Sequence, residues 1–203
     1  HPTSKHHVMR ALARENRVLW VNYHASRRPR FTRQDLQLII RRLSRSAKGP
    51  QQVIENLQVV APLLLPLPEW RSARDLNAWL LNGRIRKALA SYPAGPRQLW
   101  LFTPDVPELI PQLRPEKTIY YCVDDFAAFS GFNPTLIESL ETRTLGWCDV
   151  VIATSRRLYE RCRKLHPNTH FVPHGVDYEH FAAAPSLPIE RIPADVRALS
   201  GPI

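Results

Sequence analysis

Short apolar runs rich in β-branched and aromatic residues alternate along this chain with longer amphipathic stretches of helical character. Six runs have the length and composition of strands: residues 17–22, 57–65, 97–103, 117–123, 149–154 and 170–173. Strands that alternate with helices are typical of parallel βαβ units, because a parallel pair needs a long crossover connection. The pattern predicts an α/β fold with a mostly parallel β-sheet flanked by helices.

Several helix starts can be predicted from capping signals. The pairs Thr32–Asp35 and Ser72–Asp75 fit capping boxes, and Asn133 followed by a proline fits an N-cap with proline at the first helical position. A helix-like stretch at residues 4–15 precedes the first predicted strand, which predicts that a further strand lies upstream of His1. Residues from 177 onward are proline-punctuated without periodicity, which indicates a linker.

The composition excludes several function classes. Of 203 residues, 44% are hydrophobic, which is enough for a core, and the seven glycines form no glycine-rich phosphate loop. Three cysteines without a C-x-x-C pair argue against a disulfide framework or a zinc knuckle, and favour a reducing cytoplasm. Cys162, His166 and His170 have helical ligand spacing, but Pro167 interrupts that helix, so no metal site is predicted.

Positive charge is concentrated at the start of the chain. Residues 1–50 hold 12 Lys and Arg against 2 acids, whereas the remaining residues hold 16 of each, so the entire net charge of +10 lies in the first quarter. Arg27, Arg28, Arg30 and Arg33 open this basic stretch. It indicates either a partner that bears phosphate groups, such as an anionic membrane, or simply a solvated helix face.

Ligands of open α/β sheets bind beyond the carboxyl ends of the strands, so the residues that follow each predicted strand are candidate site residues. Asp124 and Asp125 follow one strand together, and they indicate a general base, helix caps or ion-pair partners for arginine. Ser155 caps the next helix and could also face an anion. Gly175 in the VPHGVD turn indicates a positive φ or a close backbone approach, or simply a tight turn. The predicted catalytic residues are Asp124 and Asp125, and the predicted substrate-binding residues are Tyr23, His24, Thr103, Ser155, His174 and Gly175.

Residues 120–181 carry a series of linked motifs: YYCVDDF, then ESLETRTLGWCDVVIATSRRL, then FVPHGVDYEHF. Together they resemble the second half of the N-terminal domain of GT-B glycosyltransferases, particularly bacterial group 1 enzymes that build exopolysaccharides and cell-surface glycans. Glu141, Cys148–Asp149, Ser155 and the VPHGVD turn follow in the family's order, although His174 replaces the usual Asn. The resemblance implies a Rossmann-like domain over residues 1–181 and a linker over residues 182–203.

The resemblance also implies a function. This chain would be the acceptor-binding half of an enzyme that moves a sugar from a nucleotide-sugar to a glycan or lipid-linked acceptor. No separate cofactor is implied, and the nucleotide-sugar would be bound mainly by a second domain that these residues lack, so the fragment alone is expected to be inactive. Either Asp124 or Asp125 would act as the base. The arginine-rich stretch would face the acceptor's pyrophosphate or the inner leaflet, as in a cytoplasmic, peripheral membrane enzyme.

Two other function classes stay open at this stage. In a metal-dependent, single-domain nucleotide-sugar transferase, Asp124 and Asp125 would hold a divalent cation against the diphosphate, although such enzymes usually carry D-x-D. In a nucleic-acid-binding module, the basic quarter would contact phosphates, but it has few aromatic residues for base stacking, and nucleic acid is not the expected partner.

Overall fold

The computed structural model describes residues 3–23, 49–183, 186 and 188–197. The chain divides into two compact units, His1–Pro173 and His174–Ile203. The domain boundary predicted between residues 181 and 182 stays a prediction. The predicted site residues His24, Arg27, Arg28, Arg30 and Arg33 lie outside the described residues, as does the predicted capping box at residues 32–35.

Strands and helices alternate through most of the first unit. In chain order its described elements are α1 (Ser4–Leu12), β1 (Val18–Val21), β2 (Gln51–Ile54), β3 (Leu57–Val60), α2 (Arg71–Leu89), β4 (Gln98–Leu101), α3 (Ile110–Leu113), β5 (Lys117–Cys122), a 3-10 turn (Phe126–Ala128), α4 (Pro134–Leu145), β6 (Val150–Ala153), α5 (Arg156–Leu165) and β7 (Thr169–Phe171). The second unit contains α6 (Tyr178–Ala182), a 3-10 turn (Ile189–Arg191) and α7 (Ala194–Arg197).

Strands β4, β5, β6 and β7 form a sheet in that order, and every neighbouring pair is parallel. Helices α3, α4 and α5 connect these strands one after another. Since all four strands run in the same direction, their carboxyl ends meet at one edge. The α/β class and the Rossmann-like parallel sheet predicted from the sequence are confirmed for this part of the chain.

A second sheet has three described strands in the order β1-β3-β2, and it contains a hairpin that the sequence analysis did not predict. β2 pairs antiparallel with β3 through a tight turn, in which Asn56 adopts a left-handed φ of 60°. All four residues of β2 are exposed, so it lacks the apolar alternation of a half-buried strand. The strand predicted at residues 57–65 ends at Val60, because Pro62 has no amide N–H for a further ladder bond.

Two apolar clusters hold the first unit together. The first lies between the four-stranded sheet and its helices, and its buried members are Leu101, Ile110, Tyr120, Cys122, Leu145, Val151, Ala153, Leu158 and Cys162. The second joins α2 to Leu19 and Val21 of β1. At 19 residues α2 is the longest described helix, and within the described ranges no helix is long and apolar enough to cross a membrane.

Two of the predicted helix starts can be compared with the structure. Asn133 caps α4, because its side chain accepts a hydrogen bond from the backbone N–H of Leu136 at 3.2 Å, and Pro134 begins the helix as predicted. The start predicted at Ser72 is wrong. Helix α2 already begins at Arg71 after Trp70, so Ser72 lies inside its first turn and caps nothing.

Asp149, the residue before β6, holds the start of β5 in place. The stability of the fold should therefore depend on the ionisation of Asp149. The Asp149 carboxylate accepts a hydrogen bond from the Thr118 backbone N–H at 2.8 Å and lies 3.4 Å from Lys117 Nζ. The backbone hydrogen bond, helped by Lys117, holds the pKa of Asp149 below its usual value of 3.8. This carboxylate therefore stabilises the fold above its unfolded-state pKa, and the contribution is lost as the pH falls through the folded value.

We therefore expect Asp149→Asn to unfold at a lower urea concentration than the parent chain at pH 7, and the difference to disappear as the pH is lowered below about 4. Urea unfolding of both proteins across this pH range measures it. Glu138→Gln, at an exposed position of α4, is the control that should show no such convergence. If the difference in urea midpoint between Asp149→Asn and the parent chain stays constant with pH, the Asp149 carboxylate does not stabilise the fold through its charge.

Candidate functional site

Predicted site residues follow three neighbouring strands of the four-stranded sheet. Thr103 lies beyond β4, Asp124 and Asp125 lie directly beyond β5, and Ser155 lies beyond β6. Because the strands are parallel, the topology brings all of these residues to the same edge. This edge is the candidate site.

Asp125 is fully engaged by two arginines of α5. Arg161 Nη1 donates to Asp125 Oδ1 at 2.6 Å, and Arg157 Nη2 donates to Asp125 Oδ2 at 3.3 Å. The side chain of Asp125 is 23% exposed, so the closer pair is partly shielded from solvent. Asp125 therefore fixes the loop after β5 to helix α5.

Asp124 has a different environment. The residue is exposed, and no side chain in the described ranges forms an ion pair or hydrogen bond with its carboxylate. Its carbonyl oxygen lies 3.9 Å from the Cys122 thiol, which donates to it weakly. The two adjacent acids thus divide the roles that the sequence analysis left open: Asp125 is an ion-pair partner, and Asp124 presents a carboxylate to solvent.

Behind these acids lies a buried polar network centred on Glu141 of α4. Glu141 Oε1 accepts hydrogen bonds from the Tyr120 hydroxyl at 2.9 Å and from Arg161 Nη2 at 3.0 Å. The side chain of Glu141 is only 9% exposed, so it needs these donors. Arg161 therefore bridges two carboxylates, that of Asp125 after β5 and that of Glu141 on α4.

Electrostatics keep the two donors of this network, Arg161 and Tyr120, protonated at neutral pH. Burial alone lowers the pKa of Arg161, but the carboxylates of Glu141 and Asp125 outweigh it, so that its pKa is raised and the guanidinium stays charged. Burial, together with the negative charge of Glu141, also raises the pKa of Tyr120, whose hydroxyl stays a donor. Both side chains therefore remain hydrogen-bond donors to Glu141 at neutral pH.

Ser155 caps α5 as predicted, because its hydroxyl accepts a hydrogen bond from the Leu158 backbone N–H at 3.3 Å. The preceding Thr154 is buried, and its hydroxyl lies 3.4 Å from the carbonyl oxygens of Cys122 and Val123. These contacts tie the end of β6 to the end of β5. Ser155 is exposed at the N-terminus of a ten-residue helix, next to Asp124's strand.

An aromatic cluster follows the two acids. The rings of Phe126, Phe129 and Phe132 lie with their centroids 5.5 to 6.3 Å apart, and Phe129 is 43% exposed. Gly131, with φ 90°, allows the chain to turn back between the second and third rings. The loop after β5 therefore carries an acid and a partly exposed apolar surface side by side in sequence.

The remaining described residues of the predicted site follow other elements of the chain. Tyr23 follows β1 in the three-stranded sheet and lines a cavity of about 10 Å³ with Asp105 and Arg74, which is room for at most one water. His174 and Gly175 belong to the second unit and are exposed. The positive φ or close approach expected at Gly175 is wrong, since its φ is not positive and a Cβ there would meet no atom within 4 Å.

Sequence reasoning did not select Arg157, Arg161 and Glu141 as site residues, although each leaves a signal. Arg157 and Arg161 are four residues apart on α5, so both point from one face. Glu141 falls on the buried face of α4 with Ile137 and Leu140. A charged residue on an apolar helix face needs a buried partner.

One group of potential metal ligands occurs in the described ranges. Cys122, Glu141 and Cys162 are all buried, and their ligand atoms lie within 4.8 Å of one another. The sequence analysis predicted no metal site, and the ligand set that it weighed does not converge: His166 Nε2 contacts the Cys148 carbonyl, whereas His170 Nε2 contacts Asn168.

The sequence matches no protein-family model, and no curated protein is significantly similar to it.

Proposed function

We propose that this chain is the acceptor-side domain of a GT-B glycosyltransferase, which transfers a sugar from a nucleotide-sugar to a glycan or lipid-linked acceptor. The observation that carries the proposal is the pair after β5: an exposed Asp124 at the carboxyl edge of a parallel sheet, beside an Asp125 that is held by Arg157 and Arg161. The motif resemblance of residues 120–181 supports the same conclusion.

Asp124 is the proposed general base. The acceptor hydroxyl gives its proton to the Asp124 carboxylate while its oxygen bonds to the anomeric carbon of the sugar. The bond from that carbon to the phosphate oxygen breaks, and its electron pair leaves on the nucleotide diphosphate. A base needs an unoccupied carboxylate oxygen within about 3 Å of the hydroxyl. Asp125 does not meet this condition because both of its oxygens accept hydrogen bonds from arginine.

The acceptor is proposed to lie along the loop after β5. Phe126, Phe129 and Phe132 supply apolar surface next to the base, which suits the lipid part of a lipid-linked acceptor or the apolar face of a sugar ring. The nucleotide-sugar is proposed to bind mainly to a partner domain. The proposed contacts of the acceptor's pyrophosphate, or of an anionic inner leaflet, are Arg27, Arg28, Arg30 and Arg33. This arrangement is consistent with the proposed cytoplasmic enzyme at the membrane surface.

A transfer assay on the intact polypeptide that contains these residues tests the proposal. Labelled UDP-hexoses and GDP-hexoses are offered with oligosaccharides and with sugars linked to an isoprenoid pyrophosphate. We expect label to move from at least one donor to an acceptor, and activity to persist in excess EDTA. Loss of transfer in EDTA would support the metal-dependent transferase instead. Absence of transfer combined with DNA binding that weakens steeply with salt would contradict the proposal and favour the nucleic-acid-binding module.

A further inference from the structure

Two cysteines that are 40 positions apart in sequence meet beneath the candidate site. Cys122 is the last residue of β5, and Cys162 lies in the last half of α5. Both are 0% exposed, and their sulfur atoms lie within 4.8 Å of each other. The neighbouring Cys122 thiol and the positive charge of Arg161 lower the pKa of Cys162, so Cys162 forms a thiolate more readily than a buried thiol without these neighbours.

The charges around this pair decide between a metal site and a disulfide. Glu141 supplies a third ligand atom, but its Oε1 already accepts hydrogen bonds from Tyr120 and from the Arg161 guanidinium. A divalent cation would lie beside this fixed positive charge and compete with it for the same carboxylate. A disulfide adds no charge. It leaves the hydrogen bonds from Tyr120 and Arg161 to Glu141 intact and removes only the weak one from the Cys122 thiol at 4.0 Å.

We propose that Cys122 and Cys162 form a reversible disulfide when the protein meets a peroxide. In the first step the Cys162 thiolate attacks one peroxide oxygen, the O–O bond breaks, and water leaves after taking up a proton, so that Cys162 becomes a sulfenic acid. In the second step the Cys122 sulfur attacks the Cys162 sulfur, the S–O bond breaks, and a second water leaves. Two thiols are oxidised, and one peroxide is reduced to two waters.

The third cysteine is a built-in control. Cys148 is half-buried, and burial together with Asp149 raises the pKa of its thiol to about 12. Its thiol donates a hydrogen bond to the Thr144 carbonyl at 3.1 Å. Cys148 is therefore expected to stay reduced under conditions that oxidise Cys122 and Cys162.

Since both sulfurs are buried, oxidation needs local opening, and it is expected to take minutes to hours. The full chain is incubated with hydrogen peroxide, alkylated and mapped by mass spectrometry without reduction. We expect a linked peptide pair containing residues 122 and 162, which is lost on adding dithiothreitol. The bridge closes a long loop, so the melting temperature should rise by roughly 10 °C in the oxidised chain.

Matched variants separate the outcomes. Cys148→Ser should oxidise like the parent, whereas Cys162→Ala and Cys122→Ala should lose both the linked peptide and the thermal shift. A bridge that involves Cys148, irreversible sulfinic or sulfonic products, or three thiols that stay alkylatable would overturn the proposal. One zinc ion bound per reduced chain, and lost in Cys162→Ala, would also overturn it in favour of a metal site. None of these readouts depends on sugar transfer.

Discussion

Asp124→Asn should reduce kcat for sugar transfer by about 10² to 10⁴-fold, because Asn keeps the size of the side chain but cannot take the acceptor's proton. The carboxylate is exposed and has no partner within the described ranges, so the free energy of unfolding should change by less than about 0.5 kcal/mol. KM for the donor should stay within a few-fold. Steady-state kinetics of the proposed sugar transfer and urea unfolding of the intact protein measure both effects.

Asp125→Asn is the matched control one residue away. It weakens the ion pairs with Arg157 and Arg161, so it should destabilise the protein while leaving most of kcat. Together the two variants therefore distinguish a residue that acts in catalysis from a residue that stabilises the fold. Equal losses of kcat in the two variants, with equal losses of stability, would show that both acids serve the fold alone.

Arg161→Met should cost about 2–4 kcal/mol of unfolding free energy, the largest stability effect that we expect at this site. The substitution leaves Glu141, whose side chain is 9% exposed, without its cation, and it frees one side of Asp125. The value lies at or below that of a deeply buried pair because the Arg161 side chain is itself 32% exposed. Urea unfolding with a constant m value measures it.

Two comparisons make this prediction specific. Arg157→Met removes an arginine of the same helix that is 85% exposed, and should cost less than about 1 kcal/mol. The double variant Arg161→Met with Glu141→Leu removes both charges of the buried pair, so it should be more stable than the sum of the single losses predicts. Additive losses would mean that Arg161 and Glu141 do not interact.

The four-stranded sheet could be predicted because β5 is buried on both faces and β6 alternates between half-buried and buried residues. Such strands appear in sequence as continuous apolar runs, IYYCV and VVIA. The helix that follows each of them begins at a recognisable N-cap residue, Asn133 or Ser155. β2 could not be predicted in this way. Its side chains are exposed, and it is held by backbone pairing with β3, which leaves no apolar period in the sequence.

The edge that carries Asp124 and Asp125 could also be predicted, because parallel topology brings strand ends together. The sequence could not predict which of the two acids forms ion pairs with arginine. That distinction depends on Arg157 and Arg161, more than 30 positions downstream on α5, and on the turn of helix that aims them at Asp125. The meeting of Cys122 with Cys162 was missed for the same reason, since a search for nearby cysteine pairs cannot detect a contact between a strand and a helix far along the chain.

Chemical rescue tests the proposed base most directly. Asp124→Ala leaves an open space at the exposed edge, where formate can take the place of the missing carboxylate. We expect formate to raise kcat of the proposed transfer in Asp124→Ala at least tenfold in a saturable manner, and to have no effect on the parent protein or on Asp125→Ala. An Asp124→Ala variant that retains full activity, or a formate response confined to Asp125→Ala, would contradict the assignment of Asp124 as the base.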